Sequence, residues 1–277
     1  MGGRKQKDAP IGVFDSGLGG LTVLRAIAEA LPGENLVYLG DTARVPYGTR
    51  SAHTVIRYAR GCGRLLAQHG IKLLVVACNT VSAVALDMLQ VELDLPVLGV
   101  IEPGARAAVR ATRSGRIGVI ATAGTVASGA YPRAVASFET RAEVRQQEAP
   151  LLVPLAEEGW LDGEVPRLVV RRYLEPLLGA GAGIDVLVLG CTHYPLLAPV
   201  IQAEAAAAAG SEVAVVDSGV AAARELAELL RERDLAREAD TGSIRLMVTD
   251  RPGKFAEVAE RFLGRDVEGL VVEQVDL

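Results

Sequence analysis

Aromatic residues make up only 4% of this 277-residue chain, with a single tryptophan. Its cores must therefore be packed from Ala, Val and Leu. Cysteine is scarce too: Cys62, Cys78 and Cys191 are the only three. An odd number in a chain this long does not suit a disulfide framework, and it points to a reducing, cytoplasmic compartment. Basic charge is not in excess. The net charge is −5 and the pI near 5.4, which argues against the basic stripe of a nucleic-acid binder, so no nucleic-acid partner is expected. No apolar run reaches the roughly 18 residues of a membrane span. The polar start, residues 1–10, lacks the apolar region of a secretory signal and reads as a disordered tail.

What is there is apolar and periodic. Half of the residues are hydrophobic, enough for about two domains of roughly 150 residues. Two short runs stand out. Leu73-Leu74-Val75-Val76-Ala77 ends in Cys78-Asn79-Thr80, and Val186-Leu187-Val188-Leu189-Gly190 ends in Cys191-Thr192-His193. Continuous apolar runs of this length suit strands buried on both faces of a parallel sheet. A reactive group just past the carboxyl end of such a strand lies where open α/β sheets place their ligands.

Taken in order, strands alternate with helices, which predicts an α/β fold with mainly parallel sheets. Ile11 to Phe14 is a strand, and the Asp15-Ser16-Gly17-Leu18-Gly19-Gly20 turn leads into a helix over 21–31. The glycine spacing is not that of a dinucleotide site, and the turn better suits an acidic or carboxylate ligand. Leu36 to Leu39 is a second strand. The loop Arg44-Val45-Pro46-Tyr47-Gly48 suits the wall of a small pocket, or an ordinary turn with a surface tyrosine. Ser51 caps a helix that carries Cys62, read as a small buried apolar residue. A single helix is expected over about 82–93, a strand over 96–101 and a helix over 104–112. Ile11-Gly12-Val13 then returns as Ile117-Gly118-Val119, and Cys78 returns as Cys191. The repeat predicts two pseudo-symmetric α/β halves, with the site expected in the cleft between them. The segment from about residue 217 is expected to return onto the first half, a discontinuity that the sequence does not itself show, so the halves are residues 11–100 with 217–277, and residues 101–216. The second half offers Thr122, Thr125 and Ser128 where the first offers Asp15 and Ser16.

Four chemistries fit two cysteines at two strand ends. A redox pair is one, although the two lie far apart in sequence. A metal site of Cys78, Asp15, Cys191 and His193 is a second, without the close ligand spacing of zinc sites. A Cys191 nucleophile with His193 as base is a third, and it leaves Cys78 unexplained. The fourth is racemisation. Two weak acids on opposite faces of a carbon remove and return a proton, and helix N-termini can lower thiol pKa values towards neutrality. Ser16, Asn79, Thr80 and Thr192 can donate hydrogen bonds to substrate carboxylates. His53 and His69 read as surface or packing residues.

The Asp15–Val23 segment, Asp41-Thr42 through Pro46-Tyr47-Gly48, Cys78-Asn79-Thr80 and Gly190-Cys191-Thr192-His193-Tyr194-Pro195 together resemble the motifs of bacterial glutamate racemases. The resemblance runs from about residue 11 to the C-terminus. It implies a cytoplasmic, cofactor-independent isomerase, without metal, that interconverts L- and D-glutamate for peptidoglycan synthesis and forms a homodimer. It implies that Cys78 works on the α-proton of the D-enantiomer and Cys191 on that of the L-enantiomer. Asp15 assists Cys78, and His193 assists Cys191. A family glutamate near the second cysteine corresponds to Glu157, with Glu158 adjacent. Substrate binding falls on Asp15, Ser16, Tyr47, Gly48, Asn79, Thr80, Thr122, Thr192 and His193. Aspartate racemases share Cys-Asn-Thr; the Tyr47-Gly48 loop and the Cys191–Tyr194 string favour glutamate. A reading of another class is a two-lobed small-molecule binding protein with inert thiols.

Overall fold

Among the described residues, two β-sheets, parallel at every pairing, carry the chain. The structure is a computed structural model that describes residues 6–179, 181–264 and 271–277. The first sheet has six strands in the order β10-β9-β2-β1-β3-β4 and the second has four in the order β6-β5-β7-β8. The strands of the first are β1 (Ile11–Asp15), β2 (Leu36–Gly40), β3 (Leu73–Val76), β4 (Val97–Gly99), β9 (Ile244–Val248) and β10 (Val272–Gln274). Those of the second are β5 (Arg116–Ala121), β6 (Glu143–Glu148), β7 (Val186–Gly190) and β8 (Ala214–Asp217).

Both sheets repeat one topology. In each, the first strand of the set lies between the second and the third, and the fourth follows outside the third. The register repeats as well. Phe14 pairs with Val76 in one sheet and Ile120 with Leu189 in the other, so Cys78 and Cys191 each stand two residues beyond equivalent positions. The repeated Ile-Gly-Val has a packing reason. A Cβ on Gly12 would lie 2.7 Å from Ile71 Cδ1, and one on Gly118 would lie 3.3 Å from Ile184 Cγ2. Each strand is bare where a β-branched side chain crosses it.

The strands that lead to the site are β1, β3 and β7, and every residue in them is buried. Such strands need apolar side chains on both faces, which explains their unbroken hydrophobic runs. Strand β6 reads Glu-Val-Arg-Gln-Gln-Glu at a sheet edge, with exposed and half-buried positions. It carries no run that would mark it in the sequence.

Among the helices, α1 (Leu21–Ala30) follows β1, and α2 (Ala52–Gln68) begins where Ser51 Oγ accepts the Thr54 N–H at 3.4 Å. The single helix expected over 82–93 is instead two, α3 (Asn79–Val84) and α4 (Leu86–Glu92), broken at Ala85, whose ψ of −5° lies outside helical values. Helix α3 starts directly after Cys78, so Asn79 and Thr80 are its first residues. The strand expected over 96–101 stops at Gly99, and α5 (Ile101–Ala111) begins earlier than the residue pattern indicated. Helices α6 (Ala123–Ser128), α7 (Ala130–Phe138), α8 (Leu152–Glu157), α9 (Glu164–Leu178), α10 (Ala198–Ala209), α11 (Ser218–Glu232) and α12 (Pro252–Leu263) complete the layers.

The N-terminal segment differs from the expected tail in its described part. Residues 1–5 lie outside the described residues. Beyond them, the Lys7 carbonyl accepts from the buried Lys72 Nζ at 2.7 Å. That ammonium also holds Glu34 at 2.6 Å and the Leu235 carbonyl at 2.8 Å. A buried cation needs several oxygens around it, and the segment supplies one.

Candidate active site

The carboxyl ends of β1, β3 and β7 meet. Asp15 ends β1, Cys78 follows β3 and Cys191 follows β7. A tight packing contact brings the glycine turn against the second cysteine loop: a Cβ on Gly19 would lie 2.2 Å from Thr192 Oγ1 and 2.4 Å from His193 Nδ1. Only glycine fits there. Thr22, in the first turn of α1, donates its hydroxyl to the Thr192 carbonyl at 2.8 Å and fastens the two loops together.

The glycine turn folds back on its own Asp15. Asp15 Oδ2 accepts the Gly17 N–H at 2.9 Å. Burial pushes its carboxyl pKa up, opposed by the charge of His193 and by the N–H groups of Gly20, Gly17 and Ser16. Oδ1 is buried without a partner among the described residues.

The two thiols have different surroundings. Cys78 is 6% exposed and donates to Ser16 Oγ at 3.3 Å. Its place before a helix was expected to lower the thiol pKa. Instead burial, and then the charge of Asp15, push it up to about 12, against the Ser16 hydroxyl and the Val81 N–H. Desolvation outweighs a helix of only six residues. Cys191 is 7% exposed, with its Sγ 3.7 Å from His193 Nδ1. It is followed by a turn and a 3₁₀ segment, Tyr194–Leu197, before α10 begins, so it does not directly precede an α-helix as Cys78 does.

His193 Nε2 lies 3.0 Å from Glu157 Oε1. Burial opposes charge on the imidazole, but Cys191 and Glu157 outweigh it and hold the pKa up to about 10. His193 is therefore an imidazolium at neutral pH, with one N–H towards a carboxylate and the other towards a sulfur. Glu157 takes this position, not the adjacent Glu158. Helix α12 props the pair from the other sheet's side: the Phe262 ring meets His193 edge-on at 5.5 Å, and Arg261 donates to the Glu157 carbonyl at 2.5 Å.

A hydroxyl cluster closes another wall. Thr122 Oγ1 lies 3.0 Å from both Thr80 Oγ1 and Thr125 Oγ1. The Gly48 carbonyl accepts the Gly124 N–H at 2.9 Å. Tyr47 is neither a surface residue nor a free hydroxyl. It is 1% exposed and its hydroxyl donates to Asp41, which also accepts from Thr249 Oγ1 at 2.8 Å and pairs with Arg44 at 2.7 Å. Its side chain anchors the loop, leaving the N–H groups of Tyr47 and Gly48 without an acceptor among the described residues. The sequence marked Asp41 only as part of a motif, and its anchoring role needs Thr249, which is remote in the chain.

A cleft of about 870 Å³ lies elsewhere, between α4, α5 and α11, and none of the residues above lines it. All three cysteines are free. Among the described residues, no three His, Cys, Asp or Glu side chains stand grouped to hold a metal ion.

Two parallel sheets of one topology, each presenting a cysteine at the same register, define an amino-acid racemase of the α/β type. The chain belongs to the Asp/Glu/Hydantoin racemase family, whose model matches residues 11–226. It is 54% identical over 255 residues to a glutamate racemase of Geobacter metallireducens, covering 92% of each chain. Among solved structures, it is similar to a glutamate racemase of Bacillus anthracis, with a TM-score of 0.91, 39% identity and 98% of each chain covered. It is also similar to the Francisella tularensis glutamate racemase in complex with D-glutamate, with a TM-score of 0.88, 35% identity and 98% of each chain covered.

Proposed function

We propose that this chain interconverts L- and D-glutamate by moving the α-proton between two thiols. In the D-to-L direction, Cys78 as thiolate takes the α-proton, and the Cα electron pair then receives the proton of the Cys191 thiol on the opposite face. Cys78 ends as thiol and Cys191 as thiolate, and the L-to-D direction runs in reverse. No electron is gained or lost, and no step needs a cofactor. The substrate is glutamate, as in the names of the relatives at high coverage.

The residues divide the work. His193, held by Glu157, directs an N–H at Cys191 and so stabilises negative charge as it develops on that sulfur. Asp15 and Ser16 attend Cys78. The free N–H groups of Tyr47 and Gly48, with those at the start of α3 beside Asn79 and Thr80, suit the two carboxylates of the substrate. Thr122 and Thr192 add hydroxyls. Both thiols are nearly closed to solvent, so residues 11–100 with 217–277 and residues 101–216 form two units that separate to admit glutamate. The product serves peptidoglycan synthesis in the cytoplasm, and the working form is a homodimer. Among the described residues, no helix is long and apolar enough to cross a membrane.

One observation carries the reading: two cysteines at equivalent strand ends, one beside a carboxylate and the other beside an imidazolium. The test is circular dichroism of L-glutamate with the enzyme in D₂O, without added cofactor. The signal should decay to zero as deuterium enters the α-carbon. A constant signal with folded, reduced protein would sink the glutamate assignment.

A further inference from the structure

Behind Cys78 lies a polar junction that the proton transfer does not itself use. Asn79 Nδ2 donates to Tyr131 Oη at 2.9 Å and to Ser218 Oγ at 3.3 Å. Ser218 Oγ gives its only proton to the Leu189 carbonyl at 3.0 Å. Towards Asn79 it can therefore only accept. This fixes which way round the Asn79 amide lies: its NH₂ faces Ser218 and Tyr131, and Oδ1 faces away from them. Asn79, Tyr131 and Ser218 are all buried. Oδ1 is buried too, and it has no hydrogen-bond partner among the described residues. Buried acceptors are normally satisfied, and an exception calls for a donor that arrives later.

The position limits what that donor is. Asn79 directly follows Cys78, and Leu189 lies two residues before Cys191 on β7. Of the polar groups of glutamate, both carboxylates are acceptors at neutral pH, and only the ammonium carries donors. We propose that Tyr131 and Ser218 are positioning residues: they lock the Asn79 amide so that Oδ1 accepts a hydrogen bond from the substrate ammonium. Through Leu189, the same bonds tie the helix after the first thiol to the strand before the second. The proposal rests on the reading that glutamate binds between Cys78 and Cys191.

Glutarate separates the two ideas, since it keeps both carboxylates and lacks the ammonium. The experiment compares wild type, Tyr131→Phe and Ser218→Ala by the KM of each glutamate enantiomer and by the competitive Ki of glutarate. Loss of a hydrogen bond to a charged group should raise KM for both enantiomers about tenfold in Tyr131→Phe, and somewhat less in Ser218→Ala. The glutarate Ki should stay within about twofold, because glutarate has no ammonium to donate to Oδ1. A parallel rise in KM and Ki would reduce the junction to ordinary packing and overturn the proposal. An unchanged KM in Tyr131→Phe, which keeps the ring and loses one oxygen, would overturn it too. If wild type neither racemises glutamate nor binds glutarate, the glutamate reading fails first and takes this one with it.

Discussion

Cys78 and Cys191 occupy the same register in the same topology, yet their surroundings are opposite in charge. Cys78 sits beside a buried carboxylate and a hydroxyl, and its pKa is pushed up to about 12. Cys191 sits beside an imidazolium braced by Glu157 and by helix α12. Duplication of a half explains where the sulfurs stand. It does not explain what surrounds them, because Asp15 and His193 have no counterparts at the equivalent positions, which hold Ala121 and Thr80. A pair of thiols that exchange roles does not need two identical environments. It needs one sulfur ready to give a proton while the other is ready to take one.

The largest way to break the comparison is to remove either sulfur. Cys78→Ala and Cys191→Ala should each lower racemisation in both directions by on the order of 10²–10⁴-fold, the usual span for a positioned acid or base. Proton exchange sharpens the result. Cys191→Ala should still wash deuterium into D-glutamate, and Cys78→Ala into L-glutamate, without inversion. Near wild-type racemisation in either variant would end the two-thiol scheme.

Next comes the imidazolium. His193→Gln should slow exchange of the L-enantiomer about 10- to 100-fold and that of the D-enantiomer much less, and Glu157→Gln should do the same more weakly. Equal losses on both enantiomers would mean that His193 does not belong to Cys191 alone.

The same residue sets a pH dependence. Its pKa rises from the ordinary 6.5 to about 10 on folding. The stability this charge contributes is complete below pH 6.5 and is lost as pH climbs through about 10. Wild-type kcat/KM for L-glutamate should fall with an alkaline limb near that pH, where the substrate ammonium also loses its proton, and the limb should become shallower in His193→Gln, leaving the substrate's own titration. A limb unchanged by the substitution belongs to another group.

A smaller effect is expected where the two loops touch. Gly19→Ala would drive a methyl into Thr192 and His193. Overpacking of this kind costs about 1–3 kcal/mol, or a few degrees in Tm, and should disturb the L-side exchange more than the D-side. Calorimetry and the deuterium assay read the two parts separately. Least of all should change in Cys62→Ala. That thiol is buried inside α2 with its pKa raised by burial, and racemisation should stay within about twofold. A large loss would give the third cysteine a role that its position does not suggest.

Much of this was written locally. The apolar runs before Cys78 and Cys191, the repeated Ile-Gly-Val and the alternation of strand and helix depend on neighbours in sequence, because burial on both sheet faces demands them. The break at Ala85 and the polar edge strand Glu143–Glu148 were not legible, since no hydrophobic period marks either. The motif named Tyr47 but not its inward turn onto Asp41, which depends on Thr249 and β9 being carried back to β2. It placed Cys78 before a helix but not in a dry site beside Asp15. The sequence by itself determined two cysteines at two equivalent strand ends, because residue type and period are local properties. Only the tertiary structure decided their opposite settings, because desolvation and charge act through space between residues that the chain keeps far apart.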